Sequence, residues 1–293
     1  MPQSIGLVTK FQPILDEIYK QASVTARMDA QTKPVDFAGA NVVKVFKTTP
    51  IGLGTYSRAD GFPKGQVVGA WETLTLSAER GREFNIDRMD DEESLGMAFG
   101  TLAGEFIRTQ VAPEVDAYRF WKFAATSGIG TVAGAALSSS TVLAAIDVAT
   151  AAMNAAEVPG EGRLLYVSDA VQTYLDAAIT RTRSNERSVE NRILVYNGMG
   201  VIMVPQTRFY TIITLDAGAT VDAGGYANGG VGANFMMVHP SAVLQATKLA
   251  ALKIFSPDEN QDMDAWKIQY RLYHDAFVYD NKVKGVYLHK LDA

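Results

Sequence analysis

The sequence contains no cysteine among its 293 residues, which removes several kinds of chemistry at once. Without thiols it has no disulfide bonds, no thiolate zinc sites and no cysteine nucleophile. Histidine is also scarce: the chain has His239, His274 and His289, and none is spaced from another at an interval typical of metal ligands. Stabilisation must therefore come from packing, hydrogen bonding or association between chains.

The sequence also lacks a positive charge excess and a long apolar run. Its 27 basic and 32 acidic residues give a formal net charge of -5, whereas a dedicated nucleic-acid binder usually has a basic excess or stripe. No apolar run approaches the ~20 residues of a membrane-spanning helix, and the N-terminus lacks the features of a signal peptide. The 47% hydrophobic content is that of a folded protein, so we expect a soluble protein made in the cytoplasm.

Catalytic motifs are missing as well. The sequence has no P-loop, no HExxH motif and no GxSxG nucleophile elbow. GIGTVAG, with Gly128, Gly130 and Gly134, superficially resembles a dinucleotide fingerprint, but a predicted helix enters it where the fingerprint needs a strand. We therefore predict a small-residue linker over 128–140 and no bound cofactor.

Two pairs of neighbouring residues could be either functional or purely structural. His274 and Asp275 could form an oriented base, although such a pair more often marks a turn. Asp262 and Asp264 could hold a cation but lack a full set of ligands, so a solvated loop is the simpler interpretation. No metal site is predicted.

What the sequence does contain are segments that reach outward. The N-terminal stretch FQPILDEIYKQASVTARMD carries Ile14, Leu15, Ile18 and Val24 at roughly helical spacing, with no neighbouring helix in sequence. We expect it to pack on something distant, such as another subunit.

Residues 41–88 are predicted to form a long β-hairpin. NVVKVFKTT and WETLTLSAERGREFNID carry the β-branched, aromatic and alternating residues of strands. TPIGLGTYSRADGFPKGQVVG, between them, is glycine-rich with two prolines. A loop of this length is uncommon inside a compact domain, so we expect it to act outside the domain.

Residues 89–126 are predicted to form a long helix that starts at a run of acids. Asp90 is the expected N-cap, with Glu93 completing a near capping box, and Pro113 predicts a kink or restart near Ala112. The apolar stripe comprises Leu95, Phe99, Leu102 and Phe106, and a glycine face for close packing comprises Gly96, Gly100 and Gly104.

The rest of the chain predicts a mixed α/β unit followed by β structure. Helix-like and strand-like segments alternate after the linker, with a helix starting near Ser168. The C-terminal strand has Trp266, Ile268, Tyr270 and Leu272 on one face. An arginine-dense stretch, with Arg181, Arg183, Arg187 and Arg192, either contacts acidic neighbours or nucleic acid or is a solvated loop, and the sequence leaves both open.

Three phrases carry a family resemblance that runs over essentially the whole chain. The phrases are GLGTYSRADGFPKGQVVGAWETLTLSAERGREFNIDRMDDEES, LAGEFIRTQVAPEVDAYRF and DAWKIQYRLYHDAFVYDNKVKGVY. They resemble HK97-type major capsid proteins of tailed phages, in particular those of siphophages that infect Gram-positive bacteria. The resemblance implies an α+β fold with an extended hairpin, a long spine helix and long strands. The implied divisions are an N-arm (1–40), an E-loop (41–88), a peripheral domain (89–135 and 239–293) and a mixed α/β axial domain (136–238).

The resemblance also implies a structural function without enzymatic activity or a cofactor. Such a protein assembles through hexamers and pentamers into an icosahedral shell that encloses double-stranded DNA without sequence-specific binding, as part of the virion. Because the sequence starts directly with the arm, the resemblance implies a separate scaffolding protein or another route to size control. Portal and decoration proteins are further implied partners. The expected inter-subunit contacts are Tyr56, Arg58, Phe62, Lys64, Arg181, Arg183 and Arg187.

Two alternatives remain open from the sequence. An encapsulin-like compartment shares the fold and encloses protein cargo, and a two-domain hydrolase would use His274 with Asp275 or His239. Some members of the capsid fold join subunits through lysine–asparagine cross-links. Lys64 and Asn260 are residues of those types, but residue types alone do not establish a bond.

Overall fold

The computed structural model describes residues 22–29, 41–49, 51–59, 61–93, 97–179, 193–220 and 223–292, and these form a mixed α+β fold. The α-helices are α1 (Ala26–Asp29), α2 (Arg88–Glu93), α3 (Met97–Phe106), α4 (Ala112–Ala125), α5 (Val142–Ala155) and α6 (Asp169–Ala178). The strands are β1 (Val42–Thr49), β2 (Val68–Thr75), β3 (Ala78–Asp87), β4 (Gly130–Val132), β5 (Leu164–Ser168), β6 (Val195–Tyr196), β7 (Met199–Val204), β8 (Tyr210–Leu215), β9 (Tyr226–Val238), β10 (Val243–Phe255), β11 (Ala265–Val278) and β12 (Val286–Lys290).

Strands β1 and β2 pair as an antiparallel hairpin, from Val42 opposite Thr75 to Thr49 opposite Val68. The sequence predicted one hairpin over 41–88, but the paired strands end at Thr75. The next strand, β3, pairs instead with β11. The crossover is held at Ser77, whose N–H and hydroxyl both donate to Asp275 Oδ2, at 2.9 and 2.8 Å.

Strands β10, β11 and β3 form an antiparallel sheet that packs against the long helical segment. The predicted alternation along β11 is confirmed: Ile268 and Leu272 are buried in the shared core, and Trp266 and Tyr270 pack against it half-buried. The residues that fill this core from the other elements are Ile107, Val111, Val115, Leu252 and Ile254.

The predicted long helix is present as α2, α3 and α4, with a π-helical turn at Ile107–Val111. The predicted interruption near Ala112 is confirmed, because Pro113 lies in the first turn of α4 and has no N–H to donate four residues back. The expected N-cap at Asp90 is wrong. Helix α2 begins at Arg88, and the carboxylate of Asp87 accepts the N–H of Met89 at 2.9 Å.

The largest sheet has the strand order β4-β12-β9-β5-β7-β6, with β8 paired to β9. Alternate residues of β5 face opposite sides: Leu165 packs with α5 and α6, whereas Tyr166 packs with Phe120 of α4. Because both faces are covered, the strands have nearly continuous apolar runs rather than alternating ones. The predicted helix start is confirmed, since the Ser168 hydroxyl accepts the N–H of Val171 and caps α6.

The linker predicted over 128–140 is wrong at Gly130–Val132, which forms β4 and pairs in parallel with β12. Glycine is required there by a close approach. A Cβ on Gly130 would lie 2.4 Å from the Tyr287 ring, and one on Gly134 would lie 2.3 Å from the carbonyl oxygen of Leu291. Gly128 has φ +85°, which also favours glycine. The glycines that mimic a nucleotide-binding motif therefore serve packing.

Candidate assembly surfaces

The hairpin presents apolar side chains that are exposed among the residues that the structure describes. Phe46 and Trp71 are direct cross-strand partners with ring centroids 5.0 Å apart, and they are 53% and 64% exposed. Beyond the paired strands, Phe62 is 85% exposed and packs on Tyr56 at 4.9 Å. Exposed aromatic pairs of this kind are typical of interaction surfaces. Further exposed apolar residues of the hairpin are Ile51, Leu53 and Val67.

The root of the hairpin is anchored to the body of the subunit. Val43, Leu74 and Leu76 are buried against Leu244 and Ala246 of β10. The inner end of the hairpin therefore belongs to the core of the subunit.

An ion cluster reinforces this anchor. The ammonium of Lys47 lies 2.8 Å from Glu72 Oε2 and 2.9 Å from Asp280 Oδ2. Its hydrogen bond to Glu72 raises the pKa of Lys47, and the hydrogen bond from Lys47 lowers the pKa of Asp280. Both shifts favour the charged forms, so the cluster is ionic and links the hairpin to the turn that begins at Asp280.

A second anchor clamps the described N-terminal segment onto α4. The fully buried carboxylate of Asp116 accepts hydrogen bonds from the hydroxyls of Ser23 and Thr25, at 2.7 and 2.6 Å, and from the N–H of Val24 at 3.0 Å. The guanidinium of Arg208 lies 3.2 Å from the same carboxylate and supplies its counter-charge. Charge-assisted bonds of this kind fix the segment firmly in place.

The histidine and aspartate at 274 and 275 do not form a catalytic pair. Both lie inside β11 rather than in the turn that the sequence favoured, and the carboxylate of Asp275 accepts from Ser77 and from the Tyr118 hydroxyl at 3.0 Å. Burial, followed by the charge of Arg119, lowers the pKa of His274 to about 3. The ring is buried and packs edge-on against Tyr118 with centroids 5.1 Å apart, and an imidazole of such low basicity is a poor general base near neutral pH.

The other histidines also serve structure. The Nδ1 of His239 accepts the N–H of Ser241 at 3.2 Å and caps a 3₁₀ turn. His289 stacks on Phe235 with centroids 5.0 Å apart and contacts Asn234. Within the part of the chain that the structure describes, no group of three or more metal-ligating side chains converges.

The remaining sequence candidates lie on exposed loops. Asp262 pairs with Lys267, and Asp264 lies 3.9 Å from Arg88. The amide nitrogen of Asn260 donates to the carbonyl oxygen of Ala265 at 2.9 Å, within its own loop.

The structure brings together part of the predicted contact set. Tyr56 and Phe62 touch at the outer end of the hairpin, and Arg58 and Lys64 are exposed beside them. Sequence reasoning missed the exposed pair Phe46 and Trp71, although an aromatic residue in each of two predicted strands was an available signal. Arg181, Arg183, Arg187 and Arg192 lie outside the described residues, as do residues 1–21, Gly96 and the surroundings of Gly100.

Comparison with known proteins gives a structural likeness and no sequence match. No family model matches the chain, and no curated protein matches it either. Among the described residues, no helix is long and apolar enough to cross a membrane.

Solved structures do match the chain. A chain of the capsid of cyanophage P-SCSP1u is similar at a TM-score of 0.63 and 11% identity, covering 88% of this chain and 85% of that chain. A chain of Mycobacterium phage Che8 is similar at 0.58 and 17% identity, covering 85% and 84%. A virus-like particle of Pyrococcus furiosus is similar at 0.55 and 10% identity, covering 98% and 99%. The chain therefore has the fold of phage capsid subunits, and the HK97-type α+β fold predicted from the sequence is confirmed.

Proposed function

We propose that this protein is a major capsid protein, which assembles through hexamers and pentamers into a closed icosahedral shell around double-stranded phage DNA. The observation that carries the proposal is the hairpin: a capsid-fold subunit presents an anchored arm whose apolar side chains are exposed in the part of the chain that the structure describes. A neighbouring copy would bury this surface, and repetition under closed symmetry would build a shell from modest interfaces.

The segments have distinct roles in this proposal. Residues 1–40 are the N-arm, 41–88 the E-loop, 89–135 and 239–293 the peripheral domain, and 136–238 the axial domain. Strands β4 and β12 come from the flanking peripheral segments and extend the sheet of the axial domain.

The hairpin would contact a neighbour through Tyr56, Arg58, Phe62 and Lys64, and the Arg181–Arg187 stretch would make further contacts between subunits. The net charge of -5 suits a wall that holds DNA without binding it tightly. A scaffolding protein, a portal and decoration proteins would complete the assembly. The subunit would be made in the cytoplasm of the host bacterium and end in the virion capsid.

The contents of purified particles test the proposal. The protein is produced together with the products of its neighbouring genes, and particles are purified, imaged and analysed by mass spectrometry and nuclease protection. We expect particles that contain scaffolding or portal protein, or nuclease-protected double-stranded DNA. Particles that consistently enclose an enzyme would instead support an encapsulin-like compartment and overturn the proposal.

A further inference from the structure

The sequence contains two Asn-Gly pairs, Asn197–Gly198 and Asn228–Gly229. The backbone nitrogen of the residue after an asparagine can attack the asparagine side chain, and glycine obstructs this attack least because it has no Cβ. Both asparagines are exposed, so water and hydroxide reach each of them. The two pairs differ in how firmly the fold holds their backbone.

Asn197 and Gly198 form the two-residue turn of the β6–β7 hairpin. Tyr196 pairs with Met199, and both turn residues have a positive φ, 48° at Asn197 and 76° at Gly198. This is the geometry of a type I′ turn. The closing hydrogen bonds join Tyr196 and Met199, so the N–H of Gly198 lies outside the ladder. A Cβ built on Gly198 would meet nothing within 4 Å, so the turn has open space around it.

The strand that enters this turn is short and lies at the end of its sheet. Strand β6 spans only Val195 and Tyr196, and it pairs with β7 as the last strand in the sheet order. Val195 is 64% exposed. A short edge strand with little burial opens at a low free-energy cost. Such local opening lets the backbone of the turn rotate until the nitrogen of Gly198 reaches the side chain of Asn197.

The second pair is held by a ladder. Asn228 and Gly229 lie within strand β9, opposite Ile213 and Ile212 of β8. The residue before Asn228 is paired as well, with Thr214. Rotation of the backbone at Asn228 would therefore break the pairing of β8 with β9, which costs more than opening a two-residue edge strand. The same dipeptide is thus mobile at one position and constrained at the other.

We propose that Asn197 is a site of spontaneous deamidation. Hydroxide removes the proton of the Gly198 nitrogen, which attacks Cγ of Asn197, and the new N–Cγ bond closes a succinimide ring. The Cγ–Nδ2 bond breaks, and the side-chain nitrogen takes a proton from water and leaves as ammonia, which regenerates hydroxide. Water then opens the ring at either carbonyl and gives aspartate or isoaspartate. This chemistry belongs to the folded subunit and does not rest on the proposed shell function.

The products change the charge and the shape of the turn. Either product adds a negative charge next to Tyr196, whose hydroxyl donates to Asp147 of α5 at 3.1 Å. Isoaspartate also inserts a carbon atom into the main chain, so the closing pair no longer fits a two-residue turn. We therefore expect the contact between the β6–β7 hairpin and α5 to weaken as the protein ages.

Peptide mapping of the full-length protein tests the inference, with Asn228 as the matched control inside the same molecule. The purified protein is incubated for increasing times at neutral and at mildly alkaline pH, and is then digested under mildly acidic conditions. Mass spectrometry measures the conversion of each asparagine, and an isoaspartate methyltransferase assay identifies the isoaspartate product. A parallel sample unfolded in guanidinium chloride gives the rates of both pairs without the fold.

In the folded protein we expect position 197 to react at least about tenfold faster than position 228, which corresponds to an opening cost about 1.4 kcal/mol lower. Both rates should rise with pH, because hydroxide removes the amide proton, and they should converge in the unfolded sample. The variant Asn197→Gln should lose the fast reaction and keep the slow one at position 228, since glutamine must close a larger ring.

A rate at position 197 that does not exceed the rate at position 228 in the folded protein, whether both are slow or both fast, would overturn the proposal. A difference that persists in the unfolded sample would come from the neighbouring residues rather than from the turn, and it would overturn the proposal as well.

Discussion

Phe46 lies directly opposite Trp71 on the β1–β2 hairpin, with ring centroids 5.0 Å apart and both rings more than half exposed. A cross-strand aromatic pair stabilises a hairpin by only about 0.2–1 kcal/mol. The ring of Phe46 also lies over Gly69, where a Cβ would come within 2.5 Å of it. The two rings therefore form an exposed apolar surface on the hairpin.

The first prediction concerns this surface. The double variant Trp71→Ser and Phe62→Ser should abolish shell assembly, because the neighbour would lose the apolar area that it buries. The isolated subunit should lose no more than about 1 kcal/mol of unfolding free energy, since both side chains are largely exposed. Particle formation by electron microscopy and subunit stability by urea unfolding check the two halves.

Met263→Ser is the matched control, because Met263 is an apolar side chain of similar exposure that lies outside the hairpin. Normal shells from the double variant would contradict the assembly role of the hairpin. Unfolded subunits would show instead that these rings serve the core.

The second prediction concerns the clamp at α4. Asp116→Ala removes a fully buried carboxylate and leaves Arg208 without its counter-charge, so we expect a loss of about 3–5 kcal/mol in unfolding free energy. Glu105→Gln, which breaks an exposed pair with Arg108, should cost at most about 1 kcal/mol. Urea unfolding of both variants measures the difference, and equal effects would refute the clamp.

The third prediction follows from the lowered pKa of His274. The unfolded chain binds a proton at this residue below about pH 6.5, whereas the folded chain does so only near pH 3. The neutral ring is therefore favoured in the folded state, and falling pH destabilises the protein. Between pH 6.5 and about pH 5, this one residue should lower the unfolding free energy by up to about 1.4 kcal/mol for each pH unit of acidification.

His274→Phe should remove that slope, which urea unfolding at several pH values would measure. The variant His239→Gln should remove less of the pH dependence of the unfolding free energy, because His239 is only half-buried. Wild-type and His274→Phe curves that run parallel over this range would show that the ring is not buried in its neutral form.

The fourth prediction tests the close approach at β4. Gly130→Ala would place a methyl group 2.4 Å from the Tyr287 ring, and overpacking of this kind costs about 1–3 kcal/mol. Gly160→Ala meets nothing within 4 Å and should change stability by less than about 0.5 kcal/mol. Thermal unfolding of the pair provides the comparison, and a neutral Gly130→Ala would restore the interpretation of this stretch as a plain linker.

Much of the architecture could be predicted because its signals are local. The alternation from Trp266 to Leu272, the cap at Ser168 and the interruption at Pro113 each depend on residues within a few positions of one another. The whole-chain resemblance supplied the arrangement of these elements, which local signals do not contain.

The features that the sequence did not reveal depend on distant partners. Asp116 looks like an ordinary polar position of a helix, yet it is buried by residues more than 90 positions away. Asp275 interrupts an apolar pattern and so resembled a turn, but its partners Ser77 and Tyr118 lie 198 and 157 positions earlier in the chain. The stretch around Gly130 resembled a linker because the Tyr287 ring that requires this glycine belongs to a distant strand.

The mass of the purified assembly tests the central claim most directly. Light scattering, combined with negative-stain images, is applied to the chain produced alone and with the products of its neighbouring genes. The account predicts pentamers, hexamers or closed shells tens of nanometres across. A monomer or small dimer under every condition would contradict it.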